Sequence, residues 1–197
     1  MRDVSPGPQS LFYEIFYHLK NFARNPVQEI RHLPNWNWTR VLTMQLILSL
    51  MSGILSALAS SNFSSWKLAQ GVLVFPFIST VTGLILASFF YYYFQVFEKR
   101  TVSYIKLATL VFLANTVFYL FHALDGLLVF FDILGMTFTG FLLTVGLTDN
   151  FQMEKKRSLR LVGALLLLLI VAVWFIRQFR DDRLSRSVNS GSIDPSL

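Results

Sequence analysis

Cysteine is absent from the 197 residues, which removes disulfides, thiolate metal sites, iron–sulfur clusters and cysteine nucleophiles. Charge is scarce too. Asp, Glu, Lys and Arg make up 14% of the chain, where soluble domains carry about 25%. With 54% hydrophobic residues and a mean hydropathy of +0.53, too little polar surface remains to cover a water-soluble domain. Histidine occurs three times, and HExxH, GxSxG, Walker and glycine-rich phosphate-binding patterns are all missing. A soluble enzyme and a disordered tail are therefore poor readings, and the sequence offers no catalytic residue, no cofactor site and no metal site. The net charge of +6 does not point to nucleic acid. Its basic residues cluster at the ends of apolar runs, where positive-inside orientation and anionic headgroups account for them. What the chain has in quantity is aromatic side chains, 16% of residues, a composition suited to a lipid interface.

A bilayer core about 30 Å thick needs about 20 apolar helical residues. Residues 41–59, 71–94 and 159–176 form three such runs. Between them, residues 101–147 are apolar over 47 positions, which as one helix would be about 70 Å long. That stretch must turn back on itself, and His122-Ala-Leu-Asp125-Gly126 is its polar break. Five spans follow, about 41–59, 71–94, 102–121, 127–147 and 159–176. The expected fold is an all-α polytopic transmembrane bundle of five helices with an N-terminal interfacial amphipathic helix. Residues 1–9 read as a disordered N-terminus, 10–35 as cytoplasmic interfacial helices, 36–177 as the membrane domain and 178–197 as a polar C-terminal tail.

Within 10–24, Leu11, Phe12, Ile15, Phe16, Leu19 and Phe22 recur at helical steps of three and four. The segment is too short and too polar to span, but it suits a helix lying in the headgroup plane. Packing of the same face on the bundle is the alternative. Phe12, Phe16 and Leu19 are the expected anchors, with Lys20 and Arg24 meeting anionic lipid or a partner protein. Asn25 followed by Pro26 marks a second helix start.

Lipid tails are as apolar as leucine, so spans associate through small residues and hydrogen bonds. Ser49, Gly53 and Ala57 form one row of small residues in the first span, and Ser79, Gly83 and Ala87 repeat it in the second. These rows predict a close contact between the two spans within one chain, with a homodimer face as the alternative. Gln45 and Asn115 read as interhelical hydrogen-bonders. His122, Asp125 and Asp132 are the one weak candidate for a polar site. A carboxylate inside a membrane costs about 2.5–3.5 kcal/mol, so Asp132 needs a partner, expected in the neighbouring backbone, Thr137 or Asn115. A weak cation or proton site is the alternative reading of the three.

Orientation follows from Lys and Arg. Twelve of the 17 fall before the first span, around 99–106 and in 155–160, which places the N-terminus in the cytoplasm. The four arginines after the fifth span (Arg177, Arg180, Arg183 and Arg186) fall on the other side.

The order of features is similar to that of the Yip1 domain family in its bacterial form. The features are the Asn25-Pro26 helix start, Trp36 and Trp38 ahead of a first span rich in small residues, and a basic aromatic exit from Tyr91 to Arg100. A tight third-to-fourth hairpin and a Leu-rich fifth span after a basic loop complete the set. The resemblance covers roughly residues 22–176. It implies five spans, a cytoplasmic N-terminus, an exoplasmic C-terminus and residence in the bacterial cytoplasmic membrane. Eukaryotic relatives act in vesicle trafficking and contact Rab GTPases. Their Asp-Leu-Tyr-Gly-Pro stretch is replaced here by LPNWNW, so no functional residue is carried over. The function expected is a non-enzymatic membrane protein that organises partner proteins or lipids at the cytoplasmic face, with a small transporter as the alternative. Expected partners are the bilayer, other membrane proteins or a second copy, and not nucleic acid.

Overall fold

The computed structural model describes residues 8–60, 63–124 and 130–190. Among the described residues the regular elements are all helical. They are α1 (Pro8–Arg24), α2 (Pro26–Arg31), α3 (Trp38–Ala59), α4 (Ser65–Ala69), a π-helical turn (Gln70–Val74), α5 (Phe75–Val96), α6 (Tyr104–His122), α7 (Phe130–Phe151) and α8 (Lys155–Ser190). Four runs are long and apolar enough to cross a membrane: Trp38–Ala59, the continuous Ser65–Val96, Tyr104–His122 and Phe131–Phe151. The turn expected between the third and fourth spans falls largely on 125–129, outside the described residues.

Local chemistry sets the helix boundaries. The Asn25 side chain accepts from Gln28 N at 3.3 Å, with Pro26 at the first helical position. Asn37 accepts from Arg40 N at 3.1 Å, and Ser64 from Lys67 N at 3.2 Å. Each supplies an acceptor to an N–H that has no partner within its helix. At the other end of two helices the chain turns through a left-handed residue, Lys99 and Gln152, both at φ 52°. The next amide reaches back six residues in each case, Arg100 N to Phe94 O at 3.1 Å and Met153 N to Leu147 O at 3.3 Å. This closure is usually given to glycine. Finally, α8 continues past the apolar run through residue 190. No glycine or proline between Ala164 and Ser190 stops it, so residues 178–190 extend the helix.

The core is built around α6, which packs on α2, α3, α5 and α7. Leu107, Leu110, Phe112 and Leu113 are buried along it. Helix α8 packs on α7 and on no other described helix.

The second run differs from the expected 71–94 because its helix begins at Ser65, capped by Ser64, and passes through the π turn. Pro76 accounts for the turn. A proline lacks the N–H for an i−4 bond and crowds the preceding turn, and here Phe75 N reaches Gln70 O, one residue further than in an α-helix. The widened turn sets Gly71 against Gly53. A Cβ on either glycine would collide with the carbonyl of the other, so two backbones touch where side chains normally stand between helices.

Gly53→Ala is therefore expected to destabilise the protein by about 1–3 kcal/mol, the range for overpacking a close contact. Thermal unfolding in detergent measures it. Gly163→Ala, at a position where a Cβ meets nothing within 4 Å, is the control and should leave the midpoint unchanged.

Candidate functional site

One end of the bundle gathers α1, α2, the start of α3 and the connections α5–α6 and α7–α8. The two faces of α1 separate there. Ile15 and Phe22 are 2% exposed, and Leu11 and Leu19 pack partly buried against the core. Phe12 and Phe16 are 55% and 70% exposed, with Tyr13 and Tyr17 beside them. Lys20 and Arg24 are exposed too, and neither meets a carboxylate among the described residues. Leu19, grouped with the anchors in the sequence, thus lies on the packed row. Tyr13 and Tyr17, which the apolar periodicity passed over, complete the exposed one.

Polar contacts fix this arrangement. Arg40 pairs with Glu14 at 2.9 Å, and His18 meets Glu29 at 3.5 Å and stands edge-on to buried Trp36. Helix α2 is held on α7 by Asn150, whose amide donates to Ile30 O at 2.7 Å and accepts from Leu33 N at 3.4 Å. Arg31 pairs with Asp149 at 3.0 Å. Glu98 joins the two basic connections, meeting Arg100 at 3.4 Å and Arg157 at 3.2 Å. The Arg31–Asp149 pair, exposed on both sides, contributes little, about 0–1 kcal/mol, while the other pairs are part-buried on at least one side. Their effect is to fix orientation.

At the opposite end, His122 Nδ1 and Asp132 Oδ1 are 3.0 Å apart, joining α6 to α7. Asp132 does not bond Thr137, whose hydroxyl donates to Ile133 O at 2.8 Å. Nor does Asn115 make a side-chain hydrogen bond to a described residue. His122 takes the position because it ends α6 where α7 begins, while Asn115 lies two turns deeper. Phe75 stacks on the imidazole with centroids 4.4 Å apart. A cavity of about 400 Å³ opens beside His122, between α3 and the π turn. Lys67 lines it and donates to Ser60 Oγ at 2.7 Å. Asp125 lies outside the described residues. Among the described residues no three His, Asp or Glu side chains converge as a metal site would require.

The small-residue rows serve several contacts. Gly53 meets the π turn. Ser49 is buried and donates to Gln45 O at 2.8 Å within α3, and Ala57 is buried too. Ser79 Oγ accepts from Gln45 Nε2 at 3.3 Å, joining α5 to α3. Gly83 instead makes room for the Phe112 ring of α6, and Ala87 is fully buried. Gln45 reaches α6 as well, with Nε2 2.5 Å from the Tyr119 hydroxyl. Its Oε1 is buried with no partner among the described residues.

Asp132→Asn keeps an oxygen for His122 to donate to and should unfold close to wild type. Asp132→Leu leaves the imidazole without its partner and should cost about 1–3 kcal/mol. Unfolding of both variants in detergent measures the difference, and equal midpoints would remove the bond from the fold's support.

The Yip1 domain model matches residues 20–176. No curated protein and no solved structure matches the chain. The family match covers α2 through most of the apolar part of α8 and coincides with four apolar helices of spanning length. This chain belongs to the Yip1 domain family and is a multi-pass membrane protein.

Proposed function

We propose that this protein is a non-enzymatic, five-span scaffold that organises lipids or partner proteins at the cytoplasmic face, with its N-terminus in the cytoplasm. The observation that carries the reading is the exposed face of α1. Four aromatic side chains, Phe12, Tyr13, Phe16 and Tyr17, stand outward beside Lys20 and Arg24. The opposite row is fastened to the bundle through Ile15 and Phe22. An amphipathic helix with aromatic and basic residues on one side is suited to the headgroup boundary. Docking to the bundle removes most of the orientational freedom that binding would otherwise cost. In this reading α8 is the fifth span. Its 36 residues measure about 54 Å, enough to cross a core of about 30 Å and project beyond it.

Two measurements test this. Tags after Ser5 and Lys156 are expected to be shielded from impermeant reagents in intact cells, and tags after Lys67 and Gly191 to be labelled. Labelling of the Gly191 tag only after permeabilisation would sink the five-span arrangement. Phe12→Ser with Phe16→Ser, both at exposed positions, should leave the unfolding midpoint within about 0.5 kcal/mol of wild type. The double variant should still lose lipid or partner association, and the loss should deepen as salt screens the remaining Lys20 and Arg24 attraction. Unchanged co-purification of partners and lipids would reduce α1 to a packed extension of the bundle.

A further inference from the structure

We infer that the groove between α7 and α8 holds one acyl chain of an anionic phospholipid, with the phosphate at Arg31 and Lys155. The inference rests on the proposed orientation only for which leaflet supplies the lipid. The groove is a cavity of about 490 Å³ that runs along α8 from Lys155 to Leu166 and along α7 from Asp149 to Thr137. These stretches measure about 17 and 18 Å of helix. Half of a hydrocarbon core is about 15 Å, so the groove reaches from headgroup level to about the midplane, the depth of one leaflet.

Its walls suit a hydrocarbon chain. Three threonines of α7 line it, and each hydroxyl is turned back onto its own helix. Thr148 donates to Thr144 O at 2.8 Å, Thr144 to Gly140 O at 2.9 Å and Thr137 to Ile133 O at 2.8 Å. No threonine O–H is left to donate to a polar ligand on that wall. The groove stays open at Gly163, where a Cβ would meet nothing within 4 Å. It is closed at depth by Leu166, which fills the space over Gly140.

The mouth is charged in the sense a phosphate needs. Arg31 meets Asp149 through Nε, leaving its two terminal nitrogens without a described partner. Lys155 is exposed and meets no carboxylate among the described residues. Arg31 offsets Asp149, so Lys155 leaves the mouth with one positive charge in excess. A phosphodiester bearing a neutral headgroup matches that excess, whereas a zwitterionic headgroup carries a competing cation.

The test is native mass spectrometry of the full chain released from vesicles of equimolar phosphatidylglycerol and phosphatidylcholine. Wild type is expected to retain phosphatidylglycerol in preference. Lys155→Gln should lower that preference about fivefold, corresponding to about 1 kcal/mol for one basic residue near a membrane surface. Gly163→Leu places a side chain in open space, so it should fold normally and lose the preferentially retained phosphatidylglycerol. The α1 variant Phe12→Ser with Phe16→Ser, which lowers overall lipid association, should keep the preference for phosphatidylglycerol, which separates this site from the face of α1. Equal retention of the two lipids by wild type, or undiminished retention by folded Gly163→Leu, overturns the proposal. A dimer without bound lipid that Gly163→Leu dissolves also overturns it, assigning the groove to a second copy.

Discussion

In a membrane the water that drives soluble helices together is missing, and close backbone approach has to replace it. The contact between Gly53 and Gly71 is where this constraint bears hardest. Neither glycine tolerates a Cβ, and the approach depends on the π turn that Pro76 imposes one turn along the chain. With the two backbones touching, Gln45 of α3 comes within reach of both Ser79 on α5 and Tyr119 on α6. Ser52 then donates to Tyr119 O at 2.8 Å. Three helices are thus joined by the Gln45 amide, the Ser52 hydroxyl and a glycine pair. The cavity beside His122 is lined by Gln70, Gly71 and Val74 of the same turn, and Phe75 stacks on the imidazole.

The rest of the bundle is joined by hydroxyls that cross from one helix to the next carbonyl. Thr139 of α7 donates to Ala114 O of α6 at 3.2 Å, and Ser158 of α8 to Thr144 O of α7 at 3.1 Å. Each satisfies a polar group that lipid cannot. Helix α8 has little else: among the described helices it packs on α7 alone, and Leu159, Leu167, Leu168 and Val171 face outward. A helix attached along one edge leaves a furrow wherever no large side chain stands between the walls, and Gly163 supplies that condition while Leu166 fills the space over Gly140.

Much of this architecture was legible in the chain. Apolar runs of bilayer length mark the membrane helices, Asn25-Pro26 marks the start of α2, and the order of features identifies the family. What was not legible depends on partners remote in sequence. The period of α1 gives an apolar face but not its neighbour, so Leu19 and Phe12 look equivalent until the bundle covers one and not the other. The repeat of Gly83 resembles that of Gly53, yet one faces a phenylalanine ring and the other a backbone. Ser64 reads as loop, because a cap is recognisable only when the following helix is known to begin there. Lys99 and Gln152 occupy left-handed positions without the glycine that would announce them. Asp132 was rightly in need of a partner, but the partner is fixed by where α6 ends, and that end falls at His122.

Placing these side chains decides where function can reside. Inside the bundle, Ser49, Thr109, Thr116 and Thr144 donate to carbonyls of their own helices, and Ser52 and Thr139 to carbonyls of a neighbour. A donor so engaged can stabilise no developing charge and bind no solute without first breaking a bond that lipid will not replace. Among the described residues Gln45 Oε1, Trp36 Nε1 and Arg40 Nε are buried without a partner, and Gln45 sits among α3, α5 and α6. Groups with capacity to bind stand instead at the two ends: Lys67 and His122 around one cavity, and Lys20, Arg24, Arg31 and Lys155 at the other. The second set is the larger, and within it Lys20 and Arg24 are exposed on α1 with its aromatic residues. Because Ile30 and Asn150 fasten α2 to α7, Arg31 at the groove and Phe16 on α1 belong to one packed unit.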